Sequence, residues 1–189
     1  VPVILVFNKT DVAESAKLEE YAGIYENCGY QVLRVSALQE EGISEIKEIL
    51  KGKTSTVAGP SGVGKSSIIN LLQSDIHMET GNISEKIERG KHTTRHSELI
   101  SIAEDTYIFD TPGFSSLYVT DMEKEELKNY FPEFEQYEDE CKFLGCVHVT
   151  EPVCGVKEAL KNGKISQSRY ENYKLLYEEL KENEKRKYS

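Results

Sequence analysis

The sequence predicts an α/β fold followed by a small α-helical unit, and three observations carry that expectation. Apolar runs of strand length are interleaved with segments of helical periodicity over the first two thirds of the chain. One strand-to-helix junction holds Gly59-Pro60-Ser61-Gly62-Val63-Gly64-Lys65-Ser66, the pattern G-x-x-x-x-G-K-S. Further on, Cys141, Cys146, His148 and Cys154 crowd a loop-rich stretch that precedes a long charged helix.

The glycine-rich junction has the context a phosphate-binding loop requires. Thr54 to Ala58 reads as a short strand, and Ser67 to Leu72 as the first turns of a helix. Glycines let the backbone of residues 59–64 curl so that N–H groups point inward at phosphate oxygens, and the helix N-terminus adds partial positive charge. Lys65 is expected on the β- and γ-phosphates and the Ser66 hydroxyl on Mg²⁺, with Ser67 alongside. The plainer reading is a Gly/Ser-rich turn, which leaves the lysine without a purpose.

The chain opens on Pro2 to Phe7, a continuous apolar run that suits a strand covered on both faces. It ends at Asn8-Lys9-Thr10-Asp11, at the carboxyl end of a buried strand, where open α/β sheets bind ligands. An aspartate there accepts hydrogen bonds from N1–H and the 2-amino group of guanine. Adenine offers no such pair, so the wrong base leaves a buried acceptor unpaired. Asn8 would bridge base and loop, and the Lys9 stem would lie along the base. The competing reading is a capping box of Asp11 with Glu14. A helix over about 13–28 follows, with Leu18, Tyr21, Ala22 and Tyr25 as its apolar stripe and Gly29 as its cap. A strand over 30–35 leads into Ser36-Ala37-Leu38, a turn suited to bring a backbone N–H to the guanine oxygen. Ile43, Ile46, Ile49 and Leu50 mark a short amphipathic helix closed by Gly52.

After the phosphate-loop helix, 75–89 has weak periodicity and reads as a loop, expected to be mobile. Gly90-Lys91-His92-Thr93-Thr94-Arg95-His96 follows. A threonine here, Thr93 or Thr94 with Thr94 favoured, would place its hydroxyl on Mg²⁺ and order the loop with triphosphate; a solvated polar loop is the alternative. Residues 98–102 and 106–109 predict a hairpin. Its second strand ends at Asp110-Thr111-Pro112-Gly113, where Asp110 would hold Mg²⁺ through water and the Gly113 N–H would approach the γ-phosphate. Phe114 stands where many GTPases carry a glutamine that orients the attacking water. His92 is the candidate for that role, and Lys65 and Thr94 complete the catalytic set.

Residues 120–130 read as a charged helix stopped by Pro132. The spacing Cys141-x4-Cys146-x-His148-x5-Cys154 fits a closed tetrahedral Zn²⁺ site with a structural role, in a stretch where Gly145, Pro152 and Gly155 look loop-like. Chance core cysteines and a surface histidine are the alternative. Ser168 and Glu171 fit a capping box for a final helix over 165–187, with Tyr170, Tyr173, Tyr177 and Leu180 on one face. The chain has 189 residues, net charge −10 and four unevenly spaced cysteines. These values argue against a secreted disulfide framework and against electrostatic capture of nucleic acid by the chain as a whole. They fit a reducing, cytoplasmic setting. No apolar run is long enough to span a membrane.

The order of the motifs is the decisive observation. Ordinary GTPases place the phosphate loop first and N-K-x-D last; here N-K-T-D and S-A-L come first. The sequence therefore predicts a circularly permuted Ras-like P-loop GTPase domain over 1–119 and a helical zinc-binding domain over 120–189. With G-P-S-G-V-G-K-S-S, G-K-H-T-T-R-H and D-T-P-G-F in this order, the chain resembles the RsgA (YjeQ) family over nearly its whole length. The resemblance implies GTP/GDP, Mg²⁺ and one structural Zn²⁺ as ligands, and a GTPase stimulated by the small (30S) ribosomal subunit and its rRNA late in assembly. A monomer is expected. The family usually carries an OB-fold before the GTPase domain, and the abrupt start at Val1 reads as a fragment lacking it. A GTP-gated binding switch with negligible hydrolysis is the alternative function; a metabolic P-loop kinase is disfavoured by the guanine motif.

Overall fold

A computed structural model describes residues 1–79, 98–110 and 122–187. The chain divides into two compact units. One comprises Val1–Ala22 with Gln31–Leu117, the other Gly23–Tyr30 with Tyr118–Ser189. Each builds its own core.

In the first unit β1 (Ile4–Phe7) and β2 (Gln31–Arg34) pair in parallel, with Leu5 opposite Val32. Helix α1 (Ser15–Asn27), counted with this unit only as far as Ala22, links them as a crossover. Helix α2 (Ile43–Leu50) buries Ile43 and Ile46 at helical spacing. Strand β3 (Thr54–Val57) leads through the phosphate loop into α3 (Lys65–Glu79). Strands β4 (Glu98–Ala103) and β5 (Thr106–Asp110) form the expected hairpin, closed at Glu104-Asp105, with Asp105 in the left-handed region at φ 52°. The strand order is β3-β5-β4; β3 and β5 run parallel, β4 antiparallel. Leu33, Val35, Ile46, Ile69, Ile100 and Ile108 belong to the core beneath these strands. The hairpin turn is pinned from within. The buried Thr106 hydroxyl accepts the Gly52 N–H at 3.0 Å and donates to the Glu104 carbonyl at 3.0 Å.

Three sequence expectations change here. The β1 run is not covered on both faces: Val6 is 39% exposed, and among the described residues β1 pairs only with β2. The expected loop from Asp75 is helical as far as Glu79. No glycine or proline interrupts Gln73 to Glu79, so the helix propagates once α3 is nucleated. Tyr21, expected on the apolar stripe of α1, is 53% exposed, whereas Ala22 is fully buried.

The second unit is helical. A 3₁₀ turn (Leu127–Tyr130), α4 (Pro132–Glu138), α5 (Gly155–Lys161) and α6 (Gln167–Lys187) surround an aromatic core. Tyr173 stacks edge-on to Phe134 at 4.9 Å and to Phe131 at 5.0 Å between ring centroids. Tyr170, Tyr173, Tyr177 and Leu180 all face this core, as their spacing predicts. Pro132 does not stop a helix over 120–130. It opens α4, where its missing N–H costs nothing, and the preceding segment yields only the 3₁₀ turn among its described residues. Gly155 is likewise not in a loop but at the start of α5, where a Cβ would overlap the Tyr137 carbonyl oxygen. The capping box at Ser168 is not formed: the Glu171 carboxylate accepts from the Gln167 side chain at 2.9 Å, and Ser168 shares a hydrogen bond with Ser166. A mostly buried ion pair joins α4 to α6. Arg169 donates to both Glu133 oxygens at 2.7 and 3.1 Å, and its guanidinium lies 4.6 Å from the Phe131 ring centre.

Candidate functional site

The phosphate loop occupies the turn from β3 to α3. Gly62 (φ 80°) and Gly64 (φ 97°) take left-handed conformations that side-chain-bearing residues rarely adopt. Helix α3 begins at Lys65, and Ile68 donates its N–H to the Gly64 carbonyl at 3.0 Å. Ser66 and Ser67, exposed in the first turn, stand at the positive end of the helix dipole. The Lys65 ammonium donates to the Gly59 and Pro60 carbonyls at 2.6 and 2.9 Å, so it lies over the loop that its sequence position predicts it will serve. Ser61 and Val63 complete the curl; the Val63 carbonyl is taken by the second motif.

That second motif follows β1. Asn8 donates through Nδ2 to the Val63 carbonyl at 2.8 Å and accepts the Ala37 N–H at Oδ1, 3.0 Å away. Lys9 donates to the Gly62 carbonyl at 2.8 Å from a left-handed backbone (φ 72°). Thr10 donates its N–H to the Val35 carbonyl at 3.2 Å. Asp11 accepts the Ser36 hydroxyl at 2.6 Å, and the Ser36 oxygen in turn accepts the Gln39 N–H. Thus N-K-T-D, S-A-L and the phosphate loop form one hydrogen-bonded cluster, although more than fifty residues separate Asn8 from Val63. A Cβ on Gly64 would overlap Asn8 Nδ2, so the contact also demands glycine there.

Two expectations sharpen. The capping-box alternative fails: Asp11 lies ahead of α1, its carboxylate bonds Ser36, and Glu14 pairs with Lys17 instead. Within the S-A-L turn, where a backbone N–H is expected on the guanine oxygen, the Ala37 N–H is bonded to Asn8. Asp110 ends β5 directly opposite Val57 in the parallel register, which puts its backbone beside the strand end that opens the phosphate loop. His92, Thr93, Thr94, Gly113 and Phe114 lie outside the described residues.

The second unit brings Cys141, Cys146, His148 and Cys154 together, with all four ligand atoms within 4.8 Å of one another. Cys141 Sγ lies 3.7 Å from His148 Nδ1 and 3.9 Å from Cys154 Sγ; Nδ1 and Cys154 Sγ are 3.4 Å apart. Tetrahedral zinc, with bonds of about 2.3 Å to sulfur and 2.0 Å to nitrogen, spaces its donors roughly 3.5–3.8 Å apart, so the cluster is compatible with that ion. Burial pushes the Cys146 thiol up to about 12 and holds the fully buried His148 below its ordinary value. Three thiols and a neutral imidazole gain little by converging alone; a divalent cation would draw the thiols into the thiolate form.

Groups that sequence reasoning passed over hold this loop. Glu151 accepts the Val147 and Val149 N–H groups at 2.9 and 3.1 Å. Tyr170 and Tyr173 donate their hydroxyls to the His148 and Val147 carbonyls, each at 2.7 Å. Glu138 contacts His148 Nε2 at 3.3 Å. In a chain with 33 acidic residues, single glutamates carry no local signal of such roles.

Comparison with known proteins accounts for both halves. Residues 1–120 match the family model described as RsgA GTPase. The chain is 63% identical over 185 residues to the protein named small ribosomal subunit biogenesis GTPase RsgA of Agathobacter rectalis, covering 98% of this chain and 61% of that one. With the protein of the same name from Alkaliphilus metalliredigens it shares 46% identity over 183 residues, 97% of this chain and 63% of the relative. The crystal structure of YjeQ from Thermotoga maritima superposes with a TM-score of 0.77 at 42% identity, over 95% of this chain and 60% of that one. That of YloQ, described as a circularly permuted GTPase, gives 0.75 at 36% identity, over 95% of this chain and 57% of that one. The chain thus spans about three-fifths of the length of these relatives. With phosphate loop, base motif and cysteine cluster all present in permuted order, the chain belongs to the RsgA GTPase family.

Proposed function

We propose that this chain binds GTP with Mg²⁺ and hydrolyses it to GDP and phosphate, as part of a GTPase that acts in biogenesis of the small ribosomal subunit. The observation that carries the reading is the cluster of Asn8, Lys9, Asp11 and Ser36 against the phosphate loop, which unites a guanine-selective acceptor with a phosphate cradle. The GTPase part spans 1–119 and the zinc-binding part 120–189.

Asp11 selects guanine over adenine, and Asn8 and Lys9 hold the base side to the phosphate side. Backbone N–H groups of 59–64 and the Lys65 ammonium face the phosphates, with Ser66, Thr94 and Asp110 as the Mg²⁺-side residues. Bound Mg²⁺ neutralises charge on the β- and γ-phosphates. Water attacks the γ-phosphorus, the bond to the bridging oxygen breaks with its electron pair left on GDP, and a proton of the attacking water passes to the released phosphate. Lys65 and the Gly113 N–H stabilise the developing charge; His92 orients the water. Cys141, Cys146, His148 and Cys154 hold one structural Zn²⁺.

The test is GTP turnover by this chain alone and with purified small ribosomal subunits, beside an equilibrium titration of GTP with Mg²⁺. Slow turnover that rises with subunits is expected; a chain with no Mg²⁺-dependent, Lys65-dependent GTP binding would refute the reading. Phe114, in place of a water-orienting glutamine, favours one second reading: a GTP-gated switch on the same partner, which binds GTP tightly but releases no phosphate with or without subunits. Elemental analysis giving one zinc per chain is expected, and folded, zinc-free protein would overturn the metal assignment.

A further inference from the structure

We propose that Glu138 is a positioning residue of the metal centre: it accepts the His148 Nε2–H and so fixes the ring with Nδ1 turned toward the thiols, while Lys128 holds the carboxylate from its other oxygen. The inference rests on reading the cysteine cluster as a zinc site and adds to it residues outside the ligand set.

The geometry argues as follows. A neutral imidazole carries one proton and one lone pair, on different nitrogens. His148 Nε2 faces Glu138 Oε1 at 3.3 Å, and a carboxylate only accepts, so the proton belongs on Nε2. The lone pair then sits on Nδ1, the nitrogen that lies 3.4 Å from Cys154 Sγ and 3.7 Å from Cys141 Sγ. The opposite tautomer would place a lone pair against the carboxylate and a proton among the sulfurs. Helix α4 sets the ring from two points one turn apart. Phe134 packs edge-on to the imidazole at 5.6 Å between centroids, and Glu138, four residues later on the same face, reaches Nε2. Lys128 donates to Glu138 Oε2 at 2.9 Å from the preceding 3₁₀ turn, which holds the carboxylate from its second oxygen. His148 itself is fully buried, with a left-handed backbone at φ 60°, a conformation a non-glycine residue keeps only where its surroundings impose it. A carboxylate hydrogen-bonded behind a histidine ligand orients the ring and raises its basicity toward the metal.

The experiment uses the full 189-residue chain, zinc-loaded, with Glu138→Ala, Glu138→Gln and Lys128→Met variants. Zinc affinity and release are read by competition with a chromophoric chelator, and the His148 side-chain N–H by ¹⁵N-resolved NMR. Glu138→Ala is expected to bind zinc about 10- to 100-fold more weakly and to lose the slowly exchanging Nε2–H signal. Glu138→Gln retains an acceptor oxygen, so a smaller loss is expected; Lys128→Met should fall between Gln and wild type. A merely structural ion pair between Lys128 and Glu138 would lower thermal stability in all three and leave the Nε2–H signal in place. Zinc affinity within twofold of wild type in Glu138→Ala, with the signal retained, overturns the inference. Should that variant fail to fold, unchanged affinity in both Glu138→Gln and Lys128→Met overturns it equally. A wild-type chain that takes up no zinc defeats the zinc reading itself, and is told apart because the failure precedes any substitution.

Discussion

Replacing Asn8 by alanine tests the link between base motif and phosphate loop most directly. The amide makes two hydrogen bonds, to the Val63 carbonyl at 2.8 Å and from the Ala37 N–H at 3.0 Å. Each contributes about 0.5–1.5 kcal/mol net, so the pair organises the three loops by about 1–3 kcal/mol. Both bonds are partly accessible to water, so their partners rehydrate and global stability should change little. The cost falls on nucleotide binding, because the free chain must then order Gly62 and Val63 at the moment of association. Converted at about 1.4 kcal/mol per decade, GDP affinity should fall roughly 5- to 150-fold. A fluorescent-nucleotide titration with Mg²⁺, paired with a denaturant midpoint for the same protein, reads both quantities. GDP affinity within twofold of wild type at unchanged stability would show that the loops keep their geometry without the bridge.

Three more outcomes follow from the same contacts. Gly64→Ala forces a Cβ onto Asn8 Nδ2 from a left-handed backbone, so GDP binding should fall at least as far as in Asn8→Ala; the double variant should lose less than the sum of the two single losses, because removing the amide relieves the overlap, and strict additivity would deny the contact. On the proposed reading, Asp11→Ala removes the acceptor that selects guanine over adenine, and competition titrations should show the preference for GTP over ATP collapse by about two decades or more; an intact preference assigns base selection elsewhere. Glu133→Ala leaves the Arg169 guanidinium buried without its carboxylate, costing the second unit about 3–5 kcal/mol, whereas a denaturant midpoint like that of wild type would mean water reaches the arginine.

The loops of the candidate site are legible in the sequence where short, contiguous patterns mark them. The phosphate loop is legible because glycine, lysine and serine must occupy fixed positions between a strand and a helix, and the structure has α3 starting at Lys65 as that pattern requires. N-K-T-D and S-A-L are legible for a like reason, since each follows a short strand. What local pattern could not show is which long-range partner a residue finds. Asp11 and Glu14 satisfy a capping box on spacing alone; only the fold puts Ser36 within reach of Asp11. Pro132 reads as a helix stop because proline breaks helix interiors, yet the same missing N–H makes it a favourable first residue, and tertiary packing of Phe134 decides between the two. Glu138, Glu151 and Glu133 are invisible in an acidic sequence, because their roles come from a histidine, two backbone amides and an arginine brought in by folding.

The permuted order has a physical reading in these contacts. A site assembled at the ends of strands depends on where each loop lies, and loop position is set by strand pairing and by bonds between loops. Here the bonds between loops are explicit: Asn8 to Val63, Lys9 to Gly62, Ala37 to Asn8, Ser36 to Asp11. None of them joins chain neighbours, so none depends on which motif is synthesised first. Permutation alters which strand ends are joined by chain, and it leaves these noncovalent ties intact. The Lys9 ammonium adds a further tie from the same turn, to the Gly62 carbonyl. It is charge-assisted and comes from a strained left-handed residue, which the loop contact must outweigh. The N-K-T-D turn and the glycine-rich loop are therefore one structural unit: whatever stiffens the one also stiffens the other, and on the proposed reading a nucleotide that holds both ends closes the same set of bonds.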